Sequence, residues 1–227
     1  MRPVIKWNIG QNGVVAEYIP WNAAKKHLLK NFGNEPFYYC SYCDRYIAGV
    51  NLEVEHIKPK GLPQYDAIKY HWNNFLISCK NCNLAKNDQD FEYSDVIMPH
   101  IQNTFGCFAF NNDGTVTSIV DDDVTRVRAL NTIKILGLDR GYNHPSRQPQ
   151  DDRYNVRRYI LELASRKLIQ YEADCQDVED IVQLSITHGF WSIWMKVFER
   201  HTVVQDALIT AYAGTFDNCR TTNIDRL

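Results

Sequence analysis

Hydrophobic and polar positions along the chain change period near residue 122, from short strand-like alternations to long helical repeats. In LEVEHI, Leu52, Val54 and Ile57 alternate imperfectly with acidic neighbours, the pattern of a half-buried strand, and Pro59 closes it. NFLIS, residues 74–78, reads as a second short strand. GCFAF and TVTSIV flank the Asn/Asp/Gly-rich stretch Asn111 to Gly114, which predicts a hairpin. Upstream, AAKKHLLKNF predicts a short helix with Asn22 as its cap and Gly33 as its stop. Downstream, Val124, Val127, Leu130, Ile133 and Leu136 recur at near-helical spacing up to Gly137. GYNHPSRQPQ, residues 141–150, has the composition of a loop. Helical patterns then cover roughly 152–172, 177–188 and 190–213, the last broken near His201. No repeat or low-complexity tract interrupts the chain. The pattern itself therefore sets three parts: residues 1–35 with a short helix, 36–121 with the cysteine pairs and the hairpin, and a helical region over 122–227.

Composition narrows the function classes. With 227 residues and 44% hydrophobic content, the chain can bury a sizeable core. The net charge of -2 offers no global attraction to a polyanion, so any nucleic-acid binding must come from a local basic patch or a partner. No apolar run reaches the ~18 residues of a membrane span, and MRPVIKWNIG lacks the apolar stretch of a secretory signal. A cytoplasmic protein without membrane contact is expected.

Of the seven cysteines, four form two CxxC pairs, and Cys107, Cys175 and Cys219 are scattered singly. In a reducing cell the pairs read as metal ligands and the singles as buried thiols. Cys40, Cys43, Cys79 and Cys82 supply four thiolates, the usual donor set of a structural Zn2+ site. The knuckles are about 35 residues apart, beyond the roughly 15 to 20 of a simple zinc ribbon, so an insert separates them. A closed four-thiolate site has no open coordination position and acts as a staple. Chemistry is then expected in the insert.

That insert carries EHIKP at 55–59, followed by NFLISCKNCNLAK at 74–86. It resembles the HNH nuclease superfamily, whose pattern is an acidic-His pair, a central Asn and a final His or Asn. The resemblance implies an α+β chain: a ββα-metal core with a four-cysteine zinc staple, followed by a mainly α-helical region. His56 would lie on the first strand, Asn74 near the second, and Asn83 on the helix. Phosphodiester hydrolysis needs a deprotonated water, a cation on the scissile phosphate and a stabilised leaving oxygen. His56 suits the general base, because imidazole titrates near working pH. Glu55 and Asn83 offer oxygen ligands, which favour Mg2+ or Mn2+. Asn74 would hold the loop between the strands and so orient His56, though Asn73 beside it could take its place. Lys58, Lys60 and Lys86 flank these positions and could contact backbone phosphates.

Nearly the whole chain also resembles a narrower family, the small HNH subunit of Septu-type and retron-associated anti-phage systems. MRPVIK, LEVEHIKPKG, WNNFLISCKNCN, RALNTIKILGLD, GFWSIWMKVF and AGTFDNC carry that likeness. It implies a bacterial defence effector working with an ABC-type, SMC-like ATPase. DNA is then the expected substrate; the alternatives are RNA such as a tRNA loop, or a non-catalytic zinc-stapled binding module. Phe190, Trp191, Trp194, Met195 and Phe198 form an aromatic stripe that fits either a core or a partner surface. Arg153, Arg157, Arg158, Arg166 and Lys167 read as a solvated helix face, or else as a nucleic-acid contact.

Overall fold

The computed structural model describes residues 1–7, 10, 11, 14–221 and 223–225. The alternation in LEVEHI becomes strand β3 (Glu53–His56), and NFLIS becomes β4 (Phe75–Ser78); ahead of them lie a two-residue ribbon, β1 (Gly10–Gln11) with β2 (Val14–Val15), and helix α1 (Lys25–Phe32). β3 and β4 pair antiparallel in the register Glu53 with Ser78, Val54 with Ile77, Glu55 with Leu76 and His56 with Phe75. Helix α2 (Lys80–Lys86) follows β4 directly and packs on β3, completing a ββα unit. The hairpin is β5 (Phe108–Phe110) with β6 (Val116–Ser118). The remainder is helical: α3 (Asp123–Leu136), α4 (Arg153–Glu172), α5 (Val178–His188), α6 (Trp191–Val197) and α7 (Thr202–Ala211). The chain is thus α+β with a helical C-terminal region. Among the described residues, no helix is long and apolar enough to cross a membrane.

Local details depart from the pattern where packing overrides it. Asn22 caps nothing: it sits inside a 3-10 turn, Trp21–Ala24, and α1 starts at Lys25 without a side-chain cap. In α3 the apolar positions do not share one fate. Val124, Val127 and Leu130 are 74, 54 and 46% exposed, whereas Ala129, Thr132, Ile133 and Leu136 are buried. The buried arc is set by the segment it meets, since the Thr132 hydroxyl accepts from the Ile97 amide at 2.8 Å. Gly137 ends this helix in the left-handed region, φ +57°, where a side chain would be strained. Cys107 and Cys219 are buried, but Cys175 is exposed in the turn after α4, where no packed element covers it.

Two hydrophobic cores result. The first gathers Met1, α1, the ββα unit, the hairpin and α3, ending at Leu138. The second is built from α4 to α7 with Tyr39 and Cys219. The aromatic stripe lies inside it: Phe190, Trp191, Trp194, Met195 and Phe198 are each at most 1% exposed, so that stripe is core and not a docking face. The N-terminal segment ties the two cores together. The Arg2 guanidinium donates to the Phe32 carbonyl at the end of α1 and to the Ala213 carbonyl after α7, each at 2.7 Å.

Candidate functional site

The two CxxC knuckles meet at the base of the ββα unit. After the first, the chain reverses at Asp44 in the left-handed region, φ +61°, and the Asp44 amide donates to the Cys40 carbonyl. In the second, Cys79 is the N-cap of α2, and its sulfur accepts from the Cys82 amide at 3.4 Å. The four sulfur atoms lie within 4.8 Å of one another and all are buried. Burial pushes the Cys40 and Cys82 thiols well above their ordinary range, while hydrogen bonds from the neighbouring sulfurs hold Cys43 and Cys79 below it, so all four become thiolates together only with a cation among them. The donor set and its closure fit Zn2+ as a structural ion.

Both knuckles are gripped by the helical region. The Asp44 carboxylate accepts from the Arg2 amide at 2.9 Å and from the Ser192 hydroxyl on α6, and the Asp44 carbonyl accepts from the Phe190 amide at 2.7 Å. Gly189 makes this approach possible: a Cβ there would stand 2.3 Å from the Tyr46 amide nitrogen. On the other knuckle, Arg153 Nη1 of α4 is 3.1 Å from Cys82 Sγ. The same guanidinium pairs with Asp151 at 2.7 Å and donates to the Leu136 and Gly137 carbonyls. Arg153 and Arg157 are therefore fully buried, not a solvated or nucleic-acid-facing row. Burial opposes the Arg153 charge, but Cys82 and Asp151 outweigh it and hold its pKa high. Arg153→Met should lower the unfolding free energy by about 3–5 kcal/mol, because it strands the buried Asp151. Denaturant unfolding would measure this, and Arg153→Met with Asp151→Leu should recover part of the loss.

A pocket of about 240 Å³ opens above the staple, lined by Glu55, His56, Lys60, Asn83, Leu84, Asn87 and Asp88 among others. Alternation along β3 turns Glu53 and Glu55 toward α2. There the Asn83 amide donates to the Glu53 carboxylate, and Lys86 Nζ pairs with Glu55 Oε1 at 3.0 Å. Glu55 is 3% exposed; burial raises its pKa to about 7, against the pull of Lys86. His56 is wedged edge-on between Trp21 and Phe75, with ring centroids 5.6 and 5.0 Å away. Its Nε2 lies 3.0 Å from the Lys69 carbonyl. A carbonyl only accepts, so Nε2 carries the hydrogen and Nδ1 is left as the basic nitrogen. Burial lowers the His56 pKa to about 4, which keeps the imidazole neutral. Asn74 stands behind it as a double clamp: Oδ1 accepts from the Lys58 amide at 2.7 Å and Nδ2 donates to the Lys58 carbonyl at 3.1 Å. Asn73 is exposed and makes no such clamp. His71 pairs with Glu17 at 2.9 Å.

The three lysines separate. Lys60 is exposed at the pocket rim, its ammonium 3.9 Å from the Trp21 ring centroid. Lys58 and Lys86 are 6 and 1% exposed and cannot reach a phosphate in this arrangement. Lys58 is held by Asp90, Glu92 and the Phe91 carbonyl. Lys86 is held by Glu55 and donates to the His56 carbonyl at 2.8 Å, so it props the strand from below. Sequence reasoning passed over Glu53, Asn87 and Asp88. Glu53 was readable as the i−2 neighbour of Glu55, and Asn87 as one helical turn beyond Asn83. Asn87 ends α2 with φ +46°, which carries Asp88 back to the pocket wall. The oxygen-rich wall of Glu55, Asn83, Asn87 and Asp88 fits a hard, partly hydrated divalent cation.

Residues 40–89, from the first knuckle to just past α2, match the HNH endonuclease family. The chain is also similar to the Septu protein PtuB of Bacillus mycoides (strain KBAB4), 34% identical over 85 residues. That similarity covers 32% of this chain and spans 29% of the relative's length.

Proposed function

From the premise that residues 40–89 are an HNH endonuclease domain, we propose that the chain is a metal-dependent endonuclease cutting the phosphodiester bonds of DNA. We read it further as the cutting subunit of an anti-phage complex governed by an ATPase partner, a reading supported by its similarity to a Septu protein and by the net charge of -2. The observation that carries the nuclease reading is the single pocket holding Glu55, His56 and Asn83 together. In it, His56 takes a proton from the attacking water through Nδ1. Asn74 and the Lys69 carbonyl fix the backbone and ring of that base. Glu55 and Asn83, with Asp88 beside them, would hold Mg2+ or Mn2+, which when bound neutralises the phosphate and the leaving oxygen. Lys60 is the cation left at the rim for a neighbouring phosphate.

The pKa values separate two effects of pH. Glu55 must lose a proton to ligate, and without metal it does so at about 7. His56 stays neutral down to about 4. Lowering the pH from 8 to 6 should raise the Mg2+ concentration for half-maximal cleavage, approaching about tenfold per pH unit below that pKa. The rate at saturating Mg2+ should stay nearly flat over the same range. Metal titrations on labelled DNA at each pH measure both; a saturated rate that halves near pH 6.5 would mean an ordinary imidazole. Purification with co-purifying proteins, followed by Mg2+-dependent assays on DNA and RNA with and without them, tests substrate and partner together.

A further inference from the structure

Beyond the catalytic pocket, three more depressions follow one another toward α4. The catalytic pocket shares Leu84 with a depression beside Asn81; that one shares Arg140 with a third; and the third shares Asp139 and His144 with a fourth that reaches Tyr154 and Arg158. The fourth, at about 620 Å³, is the most open, and the loop over residues 141–150 forms much of the lining. Lys134, Arg140 and Arg158 line this groove, and Arg147 sits on its aromatic wall. Among the described residues none of these four forms an ion pair, in contrast to Arg153 one turn before Arg157. Asp113, Asp139 and Asp151 also line it, but Asp113 is occupied by the Thr115 amide and hydroxyl and Asp151 by Arg153. Four cations against three carboxylates, one of them already neutralised by Arg153, make this a positive strip on a chain of net charge -2. The Tyr142 ring is 71% exposed, and the Arg147 guanidinium lies 5.7 Å from its centroid and 5.5 Å from that of Tyr154. Unpaired cations spaced along a groove suit backbone phosphates, and an open ring beside them suits a base.

We propose that this groove carries the nucleic-acid strand away from the catalytic pocket, with Arg140, Arg158 and Lys134 at phosphates and Tyr142 against a base. The proposal rests on the nuclease reading and names its binding surface. It also answers the charge problem, because local attraction replaces the missing global one.

The test uses the full chain with Ca2+ in place of Mg2+, and short fluorescent single-stranded DNA, duplex DNA and single-stranded RNA read by anisotropy. Arg140→Ala with Arg158→Ala should flatten the slope of log affinity against log salt by roughly 1.4–1.8, two phosphate contacts' worth. Tyr142→Ala should weaken single-stranded probes by about 5- to 150-fold, the loss of one stacked base. Arg126→Ala, on α3 and paired with Asp123 outside the groove, should change neither. Every variant is checked for an unaltered unfolding midpoint, and Lys134→Ala, at another exposed position, replaces the double variant if that one fails to fold. Unchanged affinity and salt slope in the groove variants, an equal loss in Arg126→Ala, or no binding by the unaltered chain overturns the groove. Cleavage in Mg2+ with an unchanged KM in the double variant overturns the groove and leaves the nuclease reading standing. Groove-dependent binding without cleavage does the reverse.

Discussion

His56→Ala should lower DNA cleavage by about 100- to 10,000-fold, the usual loss on removing a general base, while zinc content and nucleic-acid binding stay unchanged. The expectation follows from how the ring is held. Nε2 is committed to the Lys69 carbonyl, Trp21 and Phe75 fix its plane, and burial keeps it neutral, so Nδ1 is the nitrogen left to take a proton. No other described side chain lining the pocket offers an imidazole in its place. Truncation leaves a gap between two rings, so a moderate loss of stability is expected as well, on the order of 1–3 kcal/mol. Single-turnover cleavage by the purified variant, with zinc measured by mass spectrometry, separates the two effects. Wild-type turnover in a folded, zinc-loaded His56→Ala protein would remove His56 from the chemistry, and with it the proposed mechanism.

Cys79→Ala, or stripping zinc with a chelator, should unfold the ββα unit outright. Four-thiolate zinc sites carry apparent binding energies of roughly 10–16 kcal/mol, and whole domains are stable by only about 5–15 kcal/mol. Cys79 has a second task, since its sulfur caps α2. The damage should spread along the contacts already described, from Asp44 to Ser192 on α6 and from Cys82 to Arg153 on α4. Hydrogen exchange should therefore quicken first in β3, β4 and α2, then at the start of α4 and in α6. A metal-free Cys79→Ala protein with native exchange and full cleavage would sink the staple.

Much of the fold follows from short-range patterns. β3, β4 and the hairpin lie where alternation and turn residues place them, and α4 and α5 begin and end within a residue or two of their periodic stretches. The break between α6 and α7 falls at Phe198 to His201, where the repeat fails. These are local effects of backbone period and turn chemistry, and spacing also brought the four cysteines together. Burial of charge was different. Lys58 and Lys86 look like any solvated lysines in sequence, yet each is enclosed by acids and carbonyls that arrive from other elements. Arg153 sits in a row of cations on α4, and only the fold shows that it faces the Cys82 sulfur while Arg158 faces the groove.

The sequence by itself therefore determined which groups are present and in what local element each stands: two CxxC knuckles, a Glu-His pair on a strand and an Asn entering a helix, because spacing and period are properties of neighbouring residues. The tertiary structure alone decided which charges are used up inside the protein and which remain for a substrate, because desolvation and ion pairing depend on side chains brought together from distant parts of the chain.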